Sequence, residues 1–510
     1  MAWLSLTFQP KCDRLNAVNL RWIKCCLACC LGATLLLAAD DDRVPAIVSC
    51  HGAGDVAALV TSGAEIDSVA GLRMRAYIPS NKIAVLRGAG LTIAVDEDAV
   101  RRIGEIRAMG WKAAGYHSYE DMTNELTYYA LTYTNLCRLV SVGKSVKNRD
   151  LWILKISSQP DRDEDEPAIR YVGSIHGDEP VGMENCLNFI GLLLSNYSHD
   201  ARCTRLVDEC ALWVMPQMNP DGYVLARRGN WNNKDLNRDF PDRFYSSNRT
   251  VAACQPETAA MMLLGLSNTF TISANFHSGA VVVNYPYDGR NDGLNDGESG
   301  GYVACPDDAL YIAMARTYAD ANPSMRLSNG DAFTNGICNG AQWYCIYGGM
   351  QDWNYVWPRC FEVTIELDNN QPSLTNDLAA LWAENVTSML AYAEWALRGV
   401  RGSVTDNFSG QPIAAMVTVS NCAQAVFSAP DVGDYHRMLL PGTYALSFSA
   451  GGYYPETVMG IVVTNGPATR VDVGLTAVPE PMVGCWLLGC VWLVSGFRRP
   501  GALASARLRP

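Results

Sequence analysis

Ala168-Ile169-Arg170-Tyr171-Val172-Gly173-Ser174-Ile175 runs directly into His176-Gly177-Asp178-Glu179-Pro180, and residues 183–194 follow. The first stretch is an apolar run of strand length, ended by turn-forming residues. In the last, Met183, Leu187, Ile190 and Leu194 recur at helical spacing and form one stripe. The short polar segment between them therefore leaves the end of a strand and enters a helix. Working outward, residues 151–157, 211–215, 270–275 and 361–367 read as further strands. Residues 118–136 and 378–397 read as helices. Strands that are apolar almost throughout, separated by helices, predict an α/β domain whose sheet is covered on both faces, spanning residues 116–398.

The 510 residues exceed what one core organises, and 49% apolar with 18% charged residues fits a globular chain. A net charge of −12 argues against a nucleic-acid partner. Residues 44–109 read as a small mixed unit, with strands at 44–50 and 72–78 and helices at 55–62 and 81–88. It is either a removable pro-segment or a packing domain. Beyond Gly399 the pattern changes to short strands at 402–404, 415–420, 444–448 and 461–464, separated by Pro441-Gly442 and Gly451-Gly452. Residues 399–476 are thus expected to form a small β-sandwich.

Both termini carry processing signals. Lys11, Arg14, Arg21 and Lys24 precede an apolar run that ends at Ala38-Ala39, the pattern of a secretory signal peptide over residues 1–39. Near the other end, Val478-Pro479-Glu480-Pro481 precedes an apolar stretch to Phe497, then Arg498 and Arg499. Residues 478–499 resemble a PEP-CTERM sorting signal. That resemblance implies a membrane sorting enzyme of the exosortase type as a partner; a plain tail anchor is the alternative. Export to the periplasm, cell surface or medium is expected. Of 18 cysteines, seven lie in the terminal segments. The remaining eleven are an odd number, so at least one has no intrachain partner.

His176 and Glu179, three residues apart at a strand end, can both reach one ion. Alone such a pair arises by chance. His277 stands at the end of another predicted strand, in a chain with only six histidines. Two imidazoles and a carboxylate suit one Zn2+ with a position left open for water.

The wider motif set is more specific: Met218-Asn219-Pro220-Asp221-Gly222, Asp235-Leu236-Asn237-Arg238-Asp239-Phe240-Pro241-Asp242, Asn275-Phe276-His277-Ser278-Gly279, Gly348-Gly349-Met350-Gln351-Asp352-Trp353-Asn354-Tyr355 and Phe361-Glu362-Val363-Thr364-Ile365-Glu366-Leu367. On these motifs, in this order, residues 116–397 resemble the zinc metallocarboxypeptidases, in particular the carboxypeptidase E, N, M and D branch. The resemblance implies a mixed sheet flanked by helices, followed by a transthyretin-like domain, which would be the sandwich. It implies a Zn2+ held by His176, Glu179 and His277, with Asp235 orienting His176 through its other ring nitrogen. Glu366 becomes the general base, and its alternation with Phe361, Val363 and Ile365 places it on the opposite strand face. Glu362 is read as the more solvated carboxylate of that strand. Arg228, nine residues before Asn237, is the oxyanion partner, with adjacent Arg227 as the alternative register. Asn237 and Arg238 would hold the substrate's terminal carboxylate, and Tyr355 would close over it. Asp288, eleven residues after His277, would pair with a C-terminal Lys or Arg side chain.

The expected function is therefore an exported zinc metallocarboxypeptidase that acts on peptide C-termini and releases Lys or Arg. The competing readings are a cell-wall peptide or amide hydrolase on the same fold and an inactive peptide-binding surface protein.

Overall fold

In a computed structural model, the chain is described over residues 43–291, 297–329, 333–372 and 377–479. The expected signal peptide, residues 1–39, and the apolar part of the expected sorting segment lie outside these residues. No helix among the described residues is long and apolar enough to cross a membrane.

The first unit has four strands: β1 (Arg43–Ser49), β2 (Glu65–Ala70), β3 (Arg73–Pro79) and β4 (Thr92–Val95), paired in the order β2-β3-β1-β4. Helices Ala53–Thr61, Ser80–Gly88 and Glu97–Met109 complete it. The two predicted strands and two predicted helices are present within two residues of their expected ends. β2 and β4 were not anticipated, because their few apolar residues, such as Ile66 and Ile93, give too short a pattern. The unit has its own core, built on Ala46, Val48, Leu59, Ala76 and Ile78.

The central sheet contains β5 (Cys137–Lys144), β6 (Asp150–Ile156), β7 (Ala168–Gly173), β8 (Ala211–Met215), β9 (Phe270–His277), β10 (Ala280–Tyr285), β11 (Ile337–Asn339) and β12 (Phe361–Asp368). Their order is β11-β10-β12-β9-β7-β8-β6-β5. The inner four, β12-β9-β7-β8, run parallel; β6 joins β8 antiparallel and β10 joins β12 antiparallel. The sheet is mixed and flanked by helices. On one face Leu187, Ile190, Tyr318 and Met389 pack over it from three long helices. On the other, Met261 and Trp353 do so from Pro256–Ser267 and Met350–Val356. Burial on both faces is why β7, β9 and β12 read as unbroken apolar runs.

Residues from Val400 onward form the small sandwich: β13 (Val400–Asp406), β14 (Met416–Val419), β15 (Cys422–Phe427), β16 (Asp434–Arg437), β17 (Gly442–Ser449), β18 (Glu456–Val463), β19 (Thr469–Arg470) and β20 (Val473–Leu475). One sheet is β15-β14-β17-β18; the other is β16-β13-β19 with β20 also on β13. The sandwich is fixed to the α/β body by the fully buried Arg437, whose Nη2 lies 2.5 Å from Asp307. All eleven cysteines among the described residues are free thiols.

Candidate active site

The parallel strands β7, β9 and β12 end side by side, and the candidate residues cluster at those carboxyl ends, where open α/β sheets bind ligands. His176 follows β7, His277 closes β9, and Glu366 on β12 sits in register with His277. The His176 loop is clamped from below. The Asn219 side-chain amide donates to the carbonyls of Ile175 and Arg228, at 3.1 and 3.2 Å. Gly177 must lack a side chain, because a Cβ there would lie 2.1 Å from the Gly222 backbone. This explains the Met218–Gly222 motif: it is the floor of the loop.

His176 Nδ1 lies 2.7 Å from Glu179 Oε1, His277 Nδ1 lies 2.8 Å from Glu179 Oε2, and the two Nδ1 atoms are 3.1 Å apart. All three residues are buried, and their donor atoms fall within 4.8 Å of one another. His176 Nε2 lies 3.0 Å from Asp235 Oδ1, so that nitrogen carries the proton and Nδ1 presents a lone pair. Two imidazole nitrogens and a carboxylate facing one point repel unless a cation or a shared proton lies between them. The donor set fits zinc.

Around it, the Arg228 guanidinium reaches Asp235 (Nε to Oδ2, 3.1 Å), Glu179 (Nη1 to Oε1, 3.4 Å) and Asp67 Oδ1 of β2. Arg227 turns the other way, onto the carbonyls of Asn230 and Trp231. Gln371 donates to Glu179 Oε1 at 2.6 Å. Glu366 is 8% exposed and its Oε2 has no hydrogen-bond partner among the described residues. Burial, with Glu179 and Asp67 nearby, pushes its carboxyl well above the usual range. Glu362, in contrast to the solvated role expected of it, is fully buried. It pairs with Arg170 at 3.2 Å and accepts from Asn275 and Asn354, a structural tie inside the sheet.

Asn237 and Arg238 flank this centre. The Met350 amide occupies Asn237 Oδ1 at 2.9 Å, which leaves the Asn237 NH2 as a donor. Asp288 is buried beyond them, accepting from Gln351 at 2.9 Å and Asn284 at 3.2 Å. Gly340 closes against it, since a Cβ there would stand 1.9 Å from Asp288 Oδ1. Burial, with Asp352 adjacent, pushes the Asp288 carboxyl well above its ordinary range.

Tyr355 is the expectation that fails. It is fully buried among Tyr287, Tyr311 and Phe361, and its hydroxyl donates to Asp307 at 2.9 Å, on the side facing the sandwich. The helix Met350–Val356 turns it away from the centre. Tyr344 stands at the site instead, lining the same space as His176, Arg228, Arg238 and Glu366. Its place beside Trp343 was the signal, and Trp353 and Tyr355 offered a similar aromatic pair.

Sequence comparison agrees with this geometry. A family model described as zinc carboxypeptidase matches residues 122–388, just over half the chain. One described as carboxypeptidase regulatory-like domain matches residues 399–476. Carboxypeptidase SOL1 of Arabidopsis thaliana is 40% identical over 345 residues, covering 67% of this chain and 69% of that protein. Carboxypeptidase D of Homo sapiens is 40% identical over 369 residues, covering 69% of this chain but 26% of its own length; the present chain spans about a quarter of it. The crystal structure of carboxypeptidase A from Helicoverpa armigera aligns with a TM-score of 0.55 at 18% identity, over 70% of this chain and 98% of that one, a likeness of fold.

Proposed function

The chain belongs to the zinc carboxypeptidase family, and from that premise we propose that it hydrolyses the last peptide bond of peptides and proteins, releasing C-terminal Lys or Arg. The observation that carries this is the convergence of His176, Glu179 and His277 with Glu366, Arg228 and Arg238 at one point.

His176, Glu179 and His277 would hold the metal. When bound, zinc supplies Lewis acidity to the scissile carbonyl and the attacking water. Glu366, in register with His277 on β12, takes a proton from that water and passes it to the leaving amine. Arg228 offsets the charge that develops on the carbonyl oxygen. Asp235 fixes the His176 ring and anchors Arg228. Arg238, with the Asn237 NH2, binds the terminal carboxylate through charge-assisted hydrogen bonds, and Tyr344 takes the covering role first expected of Tyr355.

Asp288 gives the preference for a basic side chain. A buried carboxylate without a cation is costly, and a Lys or Arg side chain entering beside it removes that cost. Export by residues 1–39, and sorting by the PEP-CTERM-like segment 478–499 through an exosortase-type enzyme, complete the proposal; the composition of those segments supports it.

The test compares a short blocked peptide ending in Arg with its C-terminal amide. Hydrolysis of the free acid alone is expected. Equal hydrolysis of both would favour the amide-hydrolase reading, and binding without hydrolysis would favour the inactive one.

A further inference from the structure

The sandwich ends in an apolar tip. β13 starts at Val400, paired with Arg437 at the joint to Asp307, and runs out to Asp406. Six steps of strand put its far end about 20 Å from that joint. Three short stretches meet there: 407–410, 451–455 and 476–479. The Asn407 side-chain amide donates to the Gly474 carbonyl at 3.1 Å and to Thr476 Oγ1 at 3.0 Å. Tyr453 bridges Ala477, the Tyr454 amide donates to Thr476 O at 2.9 Å, and the Val478 amide donates to Gly452 O at 2.8 Å. None of the residues in the three stretches is charged. Asp406 and Glu456 flank them, and the Asp406 carboxylate is taken by the backbone amides of Phe408 and Ser409, at 2.9 and 2.6 Å. What the tip shows to solvent is Phe408, 100% exposed, with Tyr454 at 53% and Val478 at 44%. At that exposure Phe408 adds nothing to the core of the sandwich.

The chain is tied to this tip up to Val478, and the apolar stretch of the sorting segment begins at Met482. Four residue steps span at most about 14 Å, and the headgroup layer on one side of a bilayer is about 5–7 Å thick. With Met482 at the edge of the hydrocarbon, less than about 10 Å is left between Val478 and the headgroups. We propose that the tip is a lipid-docking surface, with Phe408 and Tyr454 entering the headgroup layer while the stretch 482–497 enters the bilayer. The inference rests on the reading of residues 478–499 as a membrane-entering sorting segment. Aromatic groups suit that layer, where one end of a ring is dry and the other wet. With no cation in the three stretches, the attraction is to the boundary between headgroups and hydrocarbon and not to anionic lipid. Docking holds Val478-Pro479-Glu480-Pro481 at the membrane surface, where a sorting enzyme embedded in the membrane reaches it.

The experiment mixes the full chain with phosphatidylcholine vesicles. The photoreactive analogue benzoylphenylalanine stands in place of Phe408 or, as a control, of Leu131 on the helix Tyr119–Thr132 of the body. Both positions are exposed, so neither replacement disturbs a core. A third form adds Leu487→Arg and Leu488→Arg to the form labelled at 408. Flotation with the vesicles and, after illumination, the adducts at each position are read, the latter by mass. The chain is expected to float, with about ten-fold or more lipid adduct at 408 than at 131, the factor that burial of one aromatic side chain supplies. Both flotation and adduct should be lost with the two arginines. Flotation that the arginines abolish, but with no excess of lipid adduct at 408, overturns the docking and leaves the sorting segment standing. Adducts at 408 that join two copies of the chain in place of lipid do the same. Flotation that is absent, or that the arginines do not change, takes the segment out of the membrane, and the docking falls with it.

Discussion

At the scale of single residues, the site separates groups that do chemistry from groups that hold them. Glu366→Gln keeps the shape of the side chain and removes the base. It should retain zinc at wild-type stoichiometry and lose about 10²- to 10⁴-fold in kcat, the usual worth of a general acid–base; full activity would remove Glu366 from the mechanism. Asp288→Asn should abolish the preference for Arg over Phe while leaving zinc content unchanged, measured as the ratio of kcat/KM on matched peptides. Tyr344 and Tyr355 make a discriminating pair. Tyr355→Phe breaks the bond to Asp307 and should cost about 1–3 kcal/mol of stability with unchanged kinetics. Tyr344→Phe should alter KM or kcat without comparable destabilisation. Most of these residues were legible in the sequence because their spacing is tied to strand ends: His277 ends β9, and Glu366 follows the period of β12. Tyr355 and Glu362 were misread for one reason. Local pattern shows that a polar or aromatic group alternates or flanks a motif, but not whether Arg170 or Asp307, far away in the chain, will be waiting for it.

At the scale of elements, the joints between helices and between units carry ion pairs that no local pattern reveals. His117 stands just ahead of the helix Tyr119–Thr132, between Glu125 at 3.1 Å and Glu184 at 2.8 Å. The hydrogen bonds to Glu125 and Glu184 raise its pKa from 6.5 to about 10. A folded-state pKa above the unfolded one means that this contact stabilises fully below pH 6.5 and fades as the pH rises toward 10. The slope of unfolding stability against pH over that interval should flatten in His117→Gln; an unchanged slope would show that the contact does not discriminate folded from unfolded chain. At the other joint, Arg437 and Asp307 are a buried pair linking sandwich and body. Arg437→Ala leaves Asp307 without its cation and should cost about 3–5 kcal/mol, read by denaturant unfolding. The long strands and helices were foreseeable because one apolar face or run spans each. β2 was not: Asp67, which meets Arg228, is a polar residue at a bulge, where strand periodicity is broken.

At the scale of the whole molecule, three parts meet around one chemistry. The α/β body brings three strand ends together, the sandwich braces the far side through Asp307, and the N-terminal unit sets Asp67 against Arg228. The motifs made the body and its activity readable. The contact of the N-terminal unit with the site was not readable, because it depends on residues of separate units, Asp67 and Arg228, that are 161 positions apart. The central claim is a zinc-dependent release of a C-terminal basic residue. It is tested most directly by offering blocked peptides ending in Arg, Lys, Phe or Glu to the zinc-loaded chain, with and without a zinc chelator, and identifying the freed amino acid by mass. The account predicts free Arg and Lys, little Phe or Glu, and loss of release with chelator that added zinc restores. No release from any peptide, or release that persists after the metal is removed, would contradict it.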